Sequence, residues 1–211
     1  ALLDQVDEFN RLELLVLSLT PGVNTCPFAR PEFADVFDIT SFFGGPHLYE
    51  GIQEDRVQYA PAHLSDLTSI VQQDRYRPDV GLIQVSPPDE TGFCYLGPTA
   101  GYEREVLEQT DVVIAEVNDQ MPRVFGDTYV HVSEIDHTYF TSHPLLEWEK
   151  SEYGEVERDI ADHVLELIPE NATIELGIGS IPEAILEALK DRPDELGLHS
   201  GTIYDSIMEL M

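Results

Sequence analysis

Basic side chains are what this sequence has least of. Two lysines, Lys150 and Lys190, and nine arginines stand against 41 aspartates and glutamates in 211 residues, a formal net charge of −30. With no basic stripe to meet phosphates, a nucleic-acid surface is excluded. The acids are scattered along the chain rather than gathered in a tail, so the surface as a whole is acidic. Such a charge opposes compaction until salt screens it, and at molar salt the Debye length is roughly 3 Å. A cytoplasmic protein of a halophile is expected. Cysteine is scarce too: Cys26 and Cys94 match no metal spacing and read as free thiols in a reducing compartment. Long hydrophobic runs are absent. The longest candidate, "LELLVLSL" (12–19), is far short of the roughly 20 residues that cross a membrane and reads as a buried strand. No signal peptide is visible. The chain opens on Ala1 and stops at Met211 within a helical pattern, and is expected to be part of something longer.

What is present is an alternation of short apolar runs with longer amphipathic ones. Strands are predicted at 12–19, 38–43, 57–63, 80–86, 111–118, 129–135, 172–176 and 196–200. Several are continuously apolar, as strands covered on both faces should be. "SDLTSIVQQD" reads as a helix with Ser65 at its N-cap. "GEVERDIADHVLELI" places Val156, Ile160, Val164 and Leu167 at helical spacing, with Pro169 ending the run. This order predicts an α/β fold with a mainly parallel sheet flanked by helices. The loop "SPPDETGFCYLGPTAG" (86–101) follows a strand's C-terminal end, the edge where open α/β sheets hold ligands. The stretch 137–154 reads as an internal linker.

The most informative segment is "IELGIGSIPEAILEAL" (174–189), a strand that breaks on two glycines and resumes as a helix. Gly177 and Gly179 remove side chains where backbone must come close to a ligand, and the free N–H groups of the helix that follows favour negative charge. Pro182 falls in the first turn, where a missing N–H costs nothing. Ser180 and Glu183 have capping-box spacing, so a capped helix without a ligand is an equally good account of these residues alone. The dinucleotide fingerprint does not fit, because its third glycine is replaced by Pro182 and no acidic ribose partner follows.

Other constellations point nowhere. His131, His137 and His143 share no helical face and no His-Glu-x-x-His run occurs, so no metal site is expected. There is no Gly-x-Ser-x-Gly elbow. Arg123 in "QMPRVFGD" is either an anion contact or a surface ion pair.

Five runs in order, "DVGLIQVSPPDETGFCYLG", "VVIAEVNDQMPR", "HVSEID", "LIPENATIELGIGSIPEAIL" and "LGLHS" followed by Asp205, resemble the acetyl-CoA hydrolase/transferase family, especially its 4-hydroxybutyrate CoA-transferases. The match is densest from residue 57 to 211. The resemblance implies that 1–211 is an incomplete N-terminal CoA-transferase-type domain, with the family's C-terminal domain absent. It implies acyl-CoA and a small carboxylic acid as substrates, no permanently bound cofactor, and a homo-oligomer. It also implies that Gly177, Ile178, Gly179, Ser180 and Ile181 line the CoA site. In the family a glutamate following a His-Ser pair attacks the acyl-CoA. Here His199 and Ser200 are followed by Gly201, so the nucleophile's position is held by glycine, and Ser206 stands where the family usually has glycine. Hydrolysis by water, or a non-catalytic acyl-CoA-binding subunit, are the alternatives that this substitution raises.

Overall fold

The computed structural model describes residues 2–16, 26–98, 101–147, 150–192 and 195–209. They divide into two compact units, 1–147 and 148–211. In chain order the first unit carries β1 (Leu12–Val16), β2 (Phe37–Ser41), α1 (Tyr49–Gln53), β3 (Val57–Tyr59), α2 (Leu67–Ile70), β4 (Val80–Val85), β5 (Phe93–Tyr95), α3 (Glu103–Gln109), β6 (Val112–Asn118), β7 (Tyr129–His131) and β8 (His137–Thr141). The second carries α4 (Glu155–Leu167), β9 (Thr173–Ile174), α5 (Ser180–Leu189), β10 (Gly197–Leu198) and α6 (Asp205–Met208).

Two parallel three-stranded sheets, β1-β2-β3 and β4-β6-β8, organise the first unit. In the second sheet, register pairs Val80 with Val112 and Ile114 with His137. Because side chains alternate between faces, Ile83, Val85, Val113, Ala115 and Val117 share one buried face with Leu107 of α3 and Val130 of β7. The opposite face carries Gln84 and Glu116, together with Val80 and Leu82, which remain 46% and 59% exposed. Continuous apolarity in β4 therefore does not correspond here to burial on both sides. The first sheet packs Phe37, Ile39 and Val57 with Leu48, and Phe28 and Phe33 meet the Phe37 ring edge-on.

Three expectations are corrected. Residues 93–95, inside the predicted loop 86–101, form β5, which pairs antiparallel with β7. Residues 137–141, inside the predicted linker, form β8, the edge of a parallel sheet. Ser65 does not cap a helix: it lies within a 3₁₀ turn at Leu64–Asp66, and α2 starts after it. The predicted strand residues 17–19 lie outside the described residues. Gly97 closes the β5 side with φ +81°, a backbone angle that favours glycine, and any side chain there would have to displace Met121.

In the second unit β9 and β10 pair in parallel, and Leu176, Leu186 and Ile207 form the core. The packed stripe of α4 is Ile160, Ala161, Val164 and Leu165. Val156 and Leu167, predicted on that face, are 68% and 81% exposed. Cys26 and Cys94 are buried free thiols, and burial, helped by the Asp89 charge, pushes the Cys94 thiol up. Among the described residues no helix is long and apolar enough to cross a membrane.

Candidate functional site

The ends of β9 and β10 build the site of the second unit. Both strands are parallel, so their C-terminal ends lie on one edge, and each runs into a loop: 175–179 after β9 and 199–204 after β10. Ser200 ties the two loops together. Its Oγ accepts from the Leu176 N–H (3.3 Å) and the Thr202 N–H (3.3 Å) and donates to the Leu176 carbonyl (3.1 Å). Gly201, next in the chain, is thereby held beside the start of the glycine turn. A Cβ built on Gly201 meets no atom within 4 Å, and the same is true of Gly177.

The turn itself is clamped from α6's side. The Tyr204 hydroxyl donates to the Gly177 carbonyl at 2.7 Å. Burial pushes this phenol up, a hydrogen bond from the Gly179 backbone pulls it back, and the Glu183 charge adds to the rise. Gly179 sits at φ +138°, a conformation for glycine alone, and is the N-cap of α5. No side chain caps this helix. The expected capping box is absent, because Glu183 is drawn elsewhere: its carboxylate is buried, accepts from Ser206 Oγ at 3.0 Å and lies 3.7 Å from Lys150 Nζ. Ser180 Oγ turns instead to Glu157 at 3.4 Å. The N-terminal end of α5 is thus left without a side-chain acceptor, and Ile178 (57% exposed) and Ile181, flanking it in the chain, add exposed apolar surface. Backbone donors within an apolar rim suit a ligand that has an anionic or carbonyl end on an uncharged arm.

All five predicted turn residues, Gly177 to Ile181, and Gly201 are therefore brought to one edge. Tyr204, Lys150 and Glu183 complete the surroundings; in the sequence Glu183 reads only as a helix cap, Lys150 only as one of two lysines, and Tyr204 not at all. Tyr204 has no signature there, since its role depends on a loop crossing from 27 residues away.

The first unit has its own polar cluster at the C-terminal halves of β6 and β8 and the residues just after them. Glu116 accepts from His143 Nε2 (2.7 Å), Thr141 Oγ1 (2.9 Å) and the Tyr139 hydroxyl (3.2 Å). Asn118, fully buried, donates to the His143 carbonyl and accepts from the amides of Gln120 and His143. Burial pushes Glu116 up, but the hydrogen bonds from His143, Thr141, Gln84 and Tyr139 outweigh it and hold the carboxyl below its ordinary range. The hydrogen bond to Glu116 raises His143. In the turn between β4 and β5, Asp89 is pulled down to about 2 by the Thr91 hydroxyl and the Phe93 amide, with Arg123 contributing from its place 5.4 Å over the Tyr95 ring.

The signs give a pH prediction. His143 raised above about 6.5 contributes stability that is complete below that value and is lost as pH rises through the folded pKa. Glu116 held low contributes stability present above its unfolded value near 4.5 and lost as pH falls through the folded one. The pair is at full strength between these limits. Ring-proton NMR is expected to show His143 titrating above 6.5 in the native protein and shifted down in Glu116→Gln. The stability gap between the two proteins should be widest near pH 6 and narrower at pH 9. A His143 titration that Glu116→Gln leaves in place would break the pairing.

Comparison with known proteins extends the picture. The family model for the acetyl-CoA hydrolase/transferase N-terminal domain matches residues 1–146. The 4-hydroxybutyrate coenzyme A transferase of Clostridium kluyveri is 41% identical over 175 residues, 83% of this chain and 41% of that protein. The succinyl-CoA:acetate/propanoyl-CoA:succinate CoA transferase of Fasciola hepatica is 35% identical over 186 residues, 88% of this chain and 39% of that protein. Among solved structures, a 4-hydroxybutyrate CoA-transferase from Porphyromonas gingivalis matches with TM-score 0.73 and 28% identity, over 98% of this chain and 54% of that one. RipA from Yersinia pestis matches in fold, with TM-score 0.86 at 24% identity over 99% of this chain and 50% of that one. The chain thus spans about two fifths of the length of the curated relatives it matches.

Proposed function

Because the chain belongs to the acetyl-CoA hydrolase/transferase family, we propose that the full-length protein moves CoA between an acyl-CoA and a small carboxylic acid of the acetate or 4-hydroxybutyrate type. The carrying observation is the meeting at one strand edge of the turn Gly177–Ile181, the uncapped start of α5 and Gly201. In this reading the turn takes the thioester and pantetheine arm, backbone donors replacing the lysines that the composition lacks. The protein works as a homo-oligomer in the cytoplasm of a salt-adapted cell, with CoA as a substrate and no resident cofactor.

Glycine at 201 changes how the chemistry must run. No carboxylate of the chain stands there to take up the acyl group, so the acceptor must meet the thioester carbonyl directly, in the space that Gly201 leaves open. An acceptor carboxylate would expel CoA thiolate and form a mixed anhydride, which the thiolate then opens at the other carbonyl to give the new acyl-CoA. Water in the same place would give hydrolysis, which is the second reading that Gly201 favours. Full-length protein with acetyl-CoA and 4-hydroxybutyrate or butyrate distinguishes the outcomes by chromatography. A new acyl-CoA is expected. Free CoA alone would support hydrolysis, and unchanged acetyl-CoA would leave binding only.

The binding part has its own prediction. Gly179 is a poor probe, because any side chain at φ +138° strains the backbone. Gly177 carries no such restriction and has open space around a Cβ, so Gly177→Trp should fold and fill the mouth of the turn. Calorimetry on full-length protein is expected to show acetyl-CoA affinity falling at least about tenfold, roughly 1.4 kcal/mol. Unchanged affinity in a variant with native melting temperature would remove the turn from the binding site.

A further inference from the structure

The chain has two lysines, and both lie in the second unit, set against acids of α5 and α6. Lys190 pairs with Glu187 at 2.6 Å and with Glu209. Its hydrogen bond holds the Glu209 carboxyl low, and the charge of Lys150 adds to that effect. Lys150 itself stands 3.7 Å from Glu183, a residue only 3% exposed. The Ser206 hydroxyl donates to the same carboxylate oxygen at 3.0 Å but brings no charge. Among the described residues Lys150 is thus the basic side chain that ion-pairs with Glu183. A buried carboxylate left without its counter-ion is costly and repels other anions.

Glu183 lies in the first turn of α5, at the end of the helix where the glycine turn enters. A carboxylate there already occupies the positive pole of the helix, so it opposes a second negative charge at that end. Its field reaches the turn: burial is the larger cause of the raised Tyr204 phenol, the Glu183 charge adds to it, and this hydroxyl sits 2.7 Å from the Gly177 carbonyl. Resting on the reading of this turn as the place of the thioester, we propose that Lys150 is a positioning residue acting through Glu183. By pairing with that carboxylate it cancels a repulsion that would otherwise meet the departing CoA thiolate. Whatever the acceptor, the acyl carbon–sulfur bond breaks and its electron pair stays on sulfur, so negative charge arises at the turn only as the reaction proceeds. An interaction realised then, and not with the neutral thioester, acts on the chemical step rather than on binding.

The thiol of free CoA bound to full-length protein reports this effect without turnover. Its ionisation is read from the ultraviolet absorbance of the thiolate, with the complex of S-methyl-CoA, which has no ionisable thiol, as the blank. Lys150→Met is expected to raise the pH of that ionisation by at least about one unit, tenfold in the ionisation constant. Adding Glu183→Gln to Lys150→Met should bring it back close to the native value, because the charge that needed compensation is gone. S-methyl-CoA should bind native protein and both variants alike. An ionisation that Lys150→Met leaves in place would overturn the inference, and so would a double variant that fails to recover, since the loss would then come from packing. Weakened S-methyl-CoA binding in Lys150→Met would overturn it too, by making Lys150 a ground-state contact. Native protein that binds no S-methyl-CoA would remove the CoA site itself and this inference with it. Should Lys150→Met not fold, Glu183→Gln alone decides, because a glutamine carbonyl still accepts from Ser206. The bound thiol is then expected to ionise at a lower pH than on native protein, and a higher one refutes the role of Lys150.

Discussion

Full-length Gly201→Glu protein, incubated with acetyl-CoA and trapped with borohydride, is expected to carry a covalent modification at residue 201 that the native protein lacks. One expectation and two observations support this. The position follows His199 and Ser200 in register with the family's nucleophilic glutamate, as the resemblance implies. A side chain there enters open space, since a Cβ on Gly201 finds nothing within 4 Å. The backbone is already fixed, because Ser200 binds Leu176 and Thr202, and Tyr204 binds the Gly177 carbonyl. Nucleophilic catalysis nonetheless needs the carboxylate within about 0.5 Å of productive geometry, supported by its neighbours, so the measurement belongs on the full-length protein. The attack forms a glutamyl anhydride and releases CoA thiolate, which returns to give the glutamyl-CoA thioester that borohydride reduces. The effect is all or nothing in the mass spectrum of intact protein. Modification of the native protein at another carboxylate would show that the nucleophile lies elsewhere, with buried Glu183 and its Lys150 and Ser206 neighbours the first place to look. No modification in the variant would show that a side chain at residue 201 does not meet the thioester.

The glycine turn was legible in the sequence, because its signals are local. Paired glycines between an apolar strand and an amphipathic helix announce a turn by backbone chemistry alone, and Gly179 does adopt an angle reserved for glycine. The long apolar strands β4 and β6 were equally plain. Three residues of β5 were not, since "FCY" sits among prolines and glycines and is a strand only because β7 lies beside it. In β8, "HTYFT" is largely exposed and offers no alternation of burial to read. The capping box failed through tertiary competition: Ser206 and Lys150 draw Glu183 away from the helix start. Val156 and Leu167 fit the helical period of α4 yet point outward, because the packed stripe runs through Ala161 and Leu165 instead. The Tyr204 clamp joins residues 27 apart, and no spacing rule reaches that far.

Thermal stability is expected to rise steeply with salt. Eleven basic side chains cannot neutralise 41 acids in any arrangement, and at least six of them are already engaged. Arg11 is paired with Asp38, Arg56 with Glu50 and Glu54, and Arg77 with Asp111. Arg104 reaches Glu108 and Glu134, Lys150 reaches Glu183, and Lys190 reaches Glu187 and Glu209. Most of these pairs are exposed, where each contributes little and salt weakens it. Two opposite effects of salt therefore compete, and magnitude decides between them. Loss of a few weak exposed pairs is small beside the mutual repulsion of thirty uncompensated charges, which acts over about 30 Å at 10 mM salt and about 3 Å at 1 M. If screening returns about 3 kcal/mol, the melting temperature of a chain this size climbs by about 6–12 °C. Potassium chloride and potassium glutamate at equal ionic strength should act alike if screening is the cause. Melts of the full-length protein from 10 mM to 2 M salt decide the matter, and a flat or falling melting temperature would mean that the acidic surface does not limit stability.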